Sequence, residues 1–424
     1  MSALQLTMAA LPVLLLVFGY PFALVLLAAV TVALAFVIDI PADLLHQAVF
    51  SSLNKYALIT VPFFVFAGDL MARGGVSERL VAWVSAIIGG VRGYLPLTVL
   101  GTNVVFSAIS GSTSAAVAAV GSMTYKQLRQ SGYSERYASG LLVSAGAMDN
   151  LIPPSIGFIL YSAASDTSVL RLFTAGIVPG LLLAVAFAVL VYVRALLSEE
   201  RPSVRFTWQR FLAATRAGIW SILAPVVVLG GLYGGLFSPT EAAGVACVYA
   251  MIIACFVYRK LTFRGILDSA ARSARLTGQV FIIVAVAGVY SWLLTVSGTS
   301  DAAAQFIGGL QVSPWVVLLA INIFLLLVGC FIDTASAILV LTPLLVPIAR
   351  SVGVDPIHFG VILVMNLSLG TFTPPFGVNL FVAQAVLKVN VREMYVGVVP
   401  FFLVALIALQ LVTSFPILSL WAFQ

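Results

Sequence analysis

Apolar residues run in long unbroken stretches, Leu181 to Val193 among them, and short connectors between these stretches collect most of the charge. Strands of a lipid-facing barrel alternate apolar and polar residues, and these runs do not. The pattern predicts an all-α polytopic membrane protein whose helices satisfy their own backbone in hydrocarbon. The first Lys or Arg is Lys55. Without a basic segment ahead of it, Leu11 to Ile38 reads as retained membrane helix rather than a cleaved signal.

The apolar pattern repeats. At a spacing of 221 residues Arg129 meets Arg350, Gly132 meets Gly353, Pro153 and Pro154 meet Pro374 and Pro375, Gly176 meets Gly397, and Pro179 meets Pro400. Small shifts of register also pair Gly68 with Gly288, Pro96 with Pro314 and Pro21 with Pro239. Two halves follow, 8–196 and 217–422, joined by a basic linker at 197–216. Equivalent loops differ in charge. Arg92, Lys126, Arg129 and Arg136 surround Leu97 to Gly121, while the matching flanks carry only Arg350; after the double proline Arg171 stands against Lys388 and Arg392. That asymmetry predicts inverted repeats, with the linker cytoplasmic and both termini outside.

Composition narrows the function. Of 424 residues 62% are hydrophobic and 8% charged, with a mean hydropathy of +1.13, so no soluble domain is expected. The net charge of +6 does not point to nucleic acid, because ten of the 21 Lys and Arg lie in two connector regions, Arg194 to Arg216 and Arg259 to Arg275. Cys247, Cys255 and Cys330 sit in apolar segments without metal-site spacing and read as small core residues. With His46 and His358 as the only histidines, neither a serine hydrolase nor a catalytic zinc site has its parts. His358 reads as a loop or interface residue. No GxxxxGK[ST] phosphate loop is present, so the remaining mechanism is secondary transport.

The informative chemistry lies where helices must break within the membrane. Ser110-Gly111-Ser112-Thr113-Ser114 interrupts an apolar region and fits the tip of a re-entrant helical hairpin; Gly329 to Ser336 is its counterpart. Pro153-Pro154-Ser155 and Thr373-Pro374-Pro375 each remove helix donors and predict an unwound midpoint. Such breaks are tolerated where they line a cavity, and their free carbonyls and half-helix N-termini suit a hard cation and an anion. Asp149, four residues before Pro153, suits a sodium ligand, a proton site or a helix-end cap, and Asp333 near the second tip is similar. Asn150, Asn366 and Asn379 are polar partners beside the same breaks, available to the site or to freed backbone.

The motifs Phe66-Ala67-Gly68 with Gly74-Gly75, Ser110-Gly111-Ser112, Ile152-Pro153-Pro154-Ser155, Phe237-Ser238-Pro239-Thr240-Glu241-Ala242-Ala243, Asp355-Pro356-Ile357-His358-Phe359-Gly360 and Thr373-Pro374-Pro375-Phe376-Gly377-Val378-Asn379-Leu380 carry a resemblance from end to end. The chain resembles the large membrane subunit of tripartite ATP-independent periplasmic (TRAP) transporters. That resemblance implies a bacterial inner-membrane elevator transporter, driven by sodium, in which a body of two hairpins and two broken helices slides against a scaffold. It implies two partners, a small four-helix membrane subunit and a soluble periplasmic protein that delivers an organic acid, by default a C4-dicarboxylate.

Carried onto matching positions, one sodium site lies between Ser110 and the break at Asp149, Ile152 and Pro154, mostly through carbonyls. A second lies between Gly329 and Gly370 with Thr373. The internal repeat pairs Asp149 with Gly370, although the family more often has Gly where this chain has Asp149. Ser112, Thr113 and Ser155, with nearby half-helix N-termini, are the expected anion ligands. Trp83 and Trp220 mark either the small partner's docking face or interfacial anchors. The alternatives are a stand-alone sodium- or proton-coupled dicarboxylate symporter and a non-transporting membrane scaffold.

Overall fold

A computed structural model describes residues 3–18, 20, 22–36, 42–198, 206–309 and 312–423, and among these no strand occurs. The chain opens with α1 (Ala3–Val17), α2 (Phe22–Phe36) and α3 (Ala42–Leu53). The stretch read as one helix from Leu11 is thus shared between α1 and α2, with Phe18 and Tyr20 outside both; Pro21 and residues 37–41 lie outside the described residues. Next come α4 (Thr60–Arg73), α5 (Val76–Ile88), α6 (Tyr94–Ser110), α7 (Thr113–Gln130), α8 (Glu135–Ala145), α9 (Ile156–Ser165) and α10 (Val169–Leu197). The second half holds α11 (Trp208–Tyr233), α12 (Pro239–Ile252), α13 (Phe263–Val296), α14 (Thr299–Gly309), α15 (Pro314–Gly329) and α16 (Thr334–Ser351). It closes with α17 (Pro356–Gly370), α18 (Val378–Leu387), α19 (Val391–Ser414) and α20 (Ile417–Leu420).

Local chemistry sets many of these ends. Ser238 caps α12 by accepting from the Glu241 amide (3.3 Å) while Glu241 Oε2 accepts from the Ser238 amide (2.8 Å), and Pro239 opens the first turn, where its missing donor costs nothing. Thr207 caps α11 through the Arg210 amide (3.4 Å), so helix begins inside the stretch expected to be linker and takes up Arg210 and Arg216; residues 199–205 lie outside the described residues. Among the described residues seven helical segments are long and apolar enough to cross a membrane, residues 169–197 and 263–296 among them.

Helix boundaries recur at the 221-residue spacing seen in the sequence: α7 and α16 are both 18 residues long and begin at Thr113 and Thr334. Contacts between the halves recur with exchanged roles. α7 packs on α18 as α16 packs on α9, and α8 packs on α19 as α17 packs on α10. At the α8–α19 crossing a Cβ on Gly140 would fall 2.2 Å from the Gly397 carbonyl oxygen, so the two backbones touch and only glycine fits. Phe158, Tyr161, Phe359 and Phe401 fill the interior.

The outer helices turn large apolar side chains outward. Leu181, Val185 and Val189 follow one another at helical spacing on α10, and Leu212, Ile219 and Val226 do so on α11. In water such faces would aggregate; in lipid they are the ordinary surface. Trp83 is half-buried and donates to Thr215 Oγ1 (3.1 Å), whereas Trp220 is exposed. Of the cysteines, Cys247 is buried and its thiol reaches the Phe63 carbonyl (2.9 Å), while Cys255 and Cys330 are only partly buried. His358 is neither in a loop nor at the surface: it sits buried in the first turn of α17, its Nδ1 3.2 Å from Ser419 Oγ beside the C-terminal segment.

Candidate functional site

At the first tip α6 stops because Gly111 takes the left-handed conformation (φ +61°), and a Cβ there would lie 2.6 Å from the Pro154 carbonyl oxygen. The same contact docks the tip onto the break, where the Ile156 amide donates to the Gly111 carbonyl (3.4 Å). α8 gives way to a 3-10 turn at Gly146–Asn150, and the Met148 carbonyl accepts from both Leu151 and Ile152 (3.0 Å each). The Pro153–Pro154 peptide that follows is cis, as is Pro374–Pro375 in the second half. The side chain of Ile152 packs beneath Gly180 of α10.

Asp149 is fully buried in this turn. Its Oδ2 accepts from Ser110 Oγ (2.6 Å), and its Oδ1 lies against Ser107 Oγ. Ser107 Oγ also reaches the Asn103 carbonyl (2.7 Å), so one hydroxyl proton faces two acceptors. The carboxylate has no basic partner among the described residues. An oxygen-rich, proton-poor pocket of this kind is costly unless a positive charge completes it.

The second tip and break reach the same arrangement by other means. A Cβ on Gly370 would fall 2.6 Å from the Cα, C and O of Gly329, so hairpin and break meet backbone to backbone. Asp333 caps α16, accepting from the Ser336 amide (3.0 Å) and from its hydroxyl (2.5 Å), which takes the capping role open to it in the sequence. Thr371 and Thr373 turn their hydroxyls back to the carbonyls of Ser368 (2.6 Å) and Leu369 (2.7 Å). Asn379 Nδ2 donates to Thr371 Oγ1 (3.1 Å) and the Val143 carbonyl (3.4 Å), joining this break to α8. Behind it Asn366 Nδ2 donates to Asn322 Oδ1 (2.7 Å), and Asn322 Nδ2 donates to Thr413 Oγ1 (2.9 Å).

Both tips and both breaks open on one cleft of about 530 Å³. The first tip presents Ser112, Thr113 and Ser114, and the second Asp333, Thr334 and Ser336. Asn150 and Ile156 come from one break, Thr371 and Val378 from the other. Val61 and Val65 of α4 and Leu276, Gln279, Val280 and Ile283 of α13 form the opposite wall. The N-termini of α7, α9, α16 and α18 all meet at this cleft, and among the described residues no Lys, Arg or His lines it. Asp333 already caps α16 and Ser155 caps α9, so the positive ends of α7 and α18, whose cap residues make no side-chain bond, are the places open to an anion.

Of the residues expected to bind the anion, Ser112 and Thr113 line the cleft. Ser155 does not: fully buried, it caps α9 through the Phe158 amide (3.2 Å) and donates to the Asn150 carbonyl (2.5 Å). Ser110, Asp149, Ile152 and Pro154 gather behind the first tip, and Gly329, Gly370 and Thr373 behind the second, all set back from the cleft surface. Sequence reasoning missed Ser107, Thr334 and Gln279. Ser107 had a signal, since three residues before Ser110 on a helix it shares that residue's face.

A family model described as "Tripartite ATP-independent periplasmic transporter, DctM component" matches residues 9–418. The chain belongs to this TRAP family. A C4-dicarboxylate TRAP transporter large permease protein of Pseudomonas aeruginosa is 39% identical over 371 residues, 88% of this chain and 87% of that protein. An isethionate TRAP transporter permease protein, DctMQ, of Oleidesulfovibrio alaskensis is 36% identical over 96% of this chain, which spans 64% of that longer protein. Among solved structures the Alcanivorax borkumensis YdaH transporter superposes with a TM-score of 0.67 over 97% of this chain and 98% of its own, at 16% identity, a likeness of fold alone. As a TRAP permease the chain is a multi-pass membrane transporter and not an enzyme, and it works within a three-component system.

Proposed function

We propose that this chain is the translocating component of a sodium-coupled organic-acid importer of the bacterial inner membrane. The observation that carries the reading is the convergence of two tips, two breaks and four helix N-termini on one cleft that no basic side chain lines among the described residues. An acid held there has its charge met by helix ends and by the hydroxyls of Ser112, Thr113 and Ser114, and cations bound close behind the tips would strengthen that binding. The two oxygen-lined sets behind the tips supply such places. Ser110, Asp149, Ile152 and Pro154 would hold one sodium ion, and Gly329, Gly370 and Thr373 the other. No group of three His, Cys, Asp or Glu side chains gathers among the described residues, and a carbonyl-rich set suits a hard monovalent cation better than a transition metal.

Movement follows the same division. α4 is braced against α13 by Asp69–Arg272 (2.9 Å) and by Arg73 to Ser269 (3.2 Å), which makes a rigid wall. The face this wall turns to the cleft is almost wholly apolar, so hairpins and broken helices can slide past it without breaking directional bonds. An elevator motion of one body against the other uses that surface. Inverted repeats, a cytoplasmic linker and outward termini complete the topology. Relatives named for a C4-dicarboxylate and for isethionate support an anionic cargo, with C4-dicarboxylates as the first to test. A small four-helix membrane subunit and a periplasmic binding protein would be the partners.

The test is uptake into proteoliposomes that hold both membrane subunits, with binding protein outside and an inward sodium gradient. Uptake should require sodium and the binding protein, and Pro154→Ala or Thr373→Val should abolish the sodium dependence while membrane insertion stays normal. Unaltered sodium dependence in both variants would sink the assigned ion sites, and uptake without the binding protein would favour a stand-alone symporter.

A further inference from the structure

We infer that Gln279 reads a second polar group on the transported acid and so sets which acids the cleft accepts. This deepens the anion-binding reading of the cleft and rests on it. Leu276, Gln279, Val280 and Ile283 share one face of α13, and that face is the wall opposite the two tips. Among the described residues Gln279 is the only polar side chain the wall contributes, since α4 offers Val61 and Val65. It is exposed midway along a 34-residue apolar helix, and its amide has no hydrogen-bond partner among the described residues. An unpartnered amide at that depth is costly against lipid, which fits its place on a wet cavity where it is free to bind a ligand.

The polarity is also one-sided. At the 220-residue spacing that pairs Gly68 with Gly288, the counterpart of Gln279 is Ile59. The pseudo-equivalent halves thus present a cleft whose tips carry hydroxyls on both sides and whose wall carries one amide. A ligand with a single anionic group is satisfied at the helix N-termini. A ligand whose distal carboxylate or hydroxyl reaches across the cleft to the wall finds its second partner at Gln279, which donates through Nε2 and accepts through Oε1. Because the amide stands on the braced wall and the tips on the other body, this contact forms in one position of the bodies and is lost in another.

The test uses the purified full chain in saturating sodium, with melting followed against succinate and butyrate, and against isethionate and ethanesulfonate, pairs that differ by one polar group. In wild type the acid with the extra group should stabilise at a concentration about tenfold lower than its partner. Gln279→Leu should bring that ratio close to one, with the response to butyrate or ethanesulfonate and the half-saturating sodium concentration unchanged, and Gln279→Asn should fall between. A wild-type ratio retained in Gln279→Leu would overturn the role of Gln279 alone. If no acid of either pair stabilises wild type, the anion-binding reading falls and this inference falls with it.

Discussion

The two tip-and-break junctions occupy equivalent places and are fastened by different chemistry. In the first, a buried carboxylate gathers hydroxyls: Asp149 with Ser110 at 2.6 Å and with Ser107. In the second, glycine lies on glycine, and the polar fastening is displaced to an amide ladder from Asn366 through Asn322 (2.7 Å) to Thr413 (2.9 Å). The positions correspond, since Asp149 and Gly370 stand 221 residues apart. One junction is therefore fastened by a carboxyl group and its hydroxyl partners and the other by close backbone contact. If cations occupy the two junctions as proposed, the shared architecture sets where they sit and the residues of each half set how tightly they are held.

Five substitutions at four positions probe that contrast, beginning with the largest expected cost. Gly370→Ala would put a methyl group 2.6 Å from the Gly329 backbone and should cost about 3 kcal/mol, because backbone cannot move aside as a side chain can. Ser110→Ala should cost less than half as much; equal losses in melting would break the contrast. Asp149→Leu leaves the hydroxyls of Ser107 and Ser110 without their shared acceptor, worth about 1.5–3 kcal/mol. Asp149→Asn keeps an acceptor and should lose less stability, yet it removes the charge and should raise the half-saturating sodium concentration about tenfold. Asn366→Ala takes one donor from Asn322 Oδ1 and should cost about 1 kcal/mol without altering the sodium response of the first junction. A sodium response altered as much by Asn366→Ala as by Asp149→Asn would show the two sites to be one coupled unit.

Much of this plan was legible in the sequence, for a physical reason. Small hydroxyl residues and paired prolines are conspicuous in hydrocarbon, so Ser110 to Ser114 and Pro153-Pro154 announced the tip and the break before any fold was known. What the pattern did not carry is which partner each polar group had found. Ser110 and Asp149 are 39 residues apart and Asn322 and Asn366 are 44, so those pairings exist only in three dimensions. For the same reason the sequence offers Ser155 as an anion ligand, although its hydroxyl is committed to Asn150 and Phe158. It also left His358 at a loop or interface, although α17 and the C-terminal segment bury it. Gln279 went unnoticed because one amide in an apolar run acquires meaning only when the opposite wall is known.

The central claim is that cations complete the two junctions, and the thermal stability of the purified chain in sodium and in potassium at matched ionic strength tests it most directly. A ligand that binds only the folded state raises the melting temperature as its concentration rises. The account predicts a saturable rise specific to sodium that Asp149→Asn shifts to higher concentration. The same melting temperature in both salts across the whole range would contradict it.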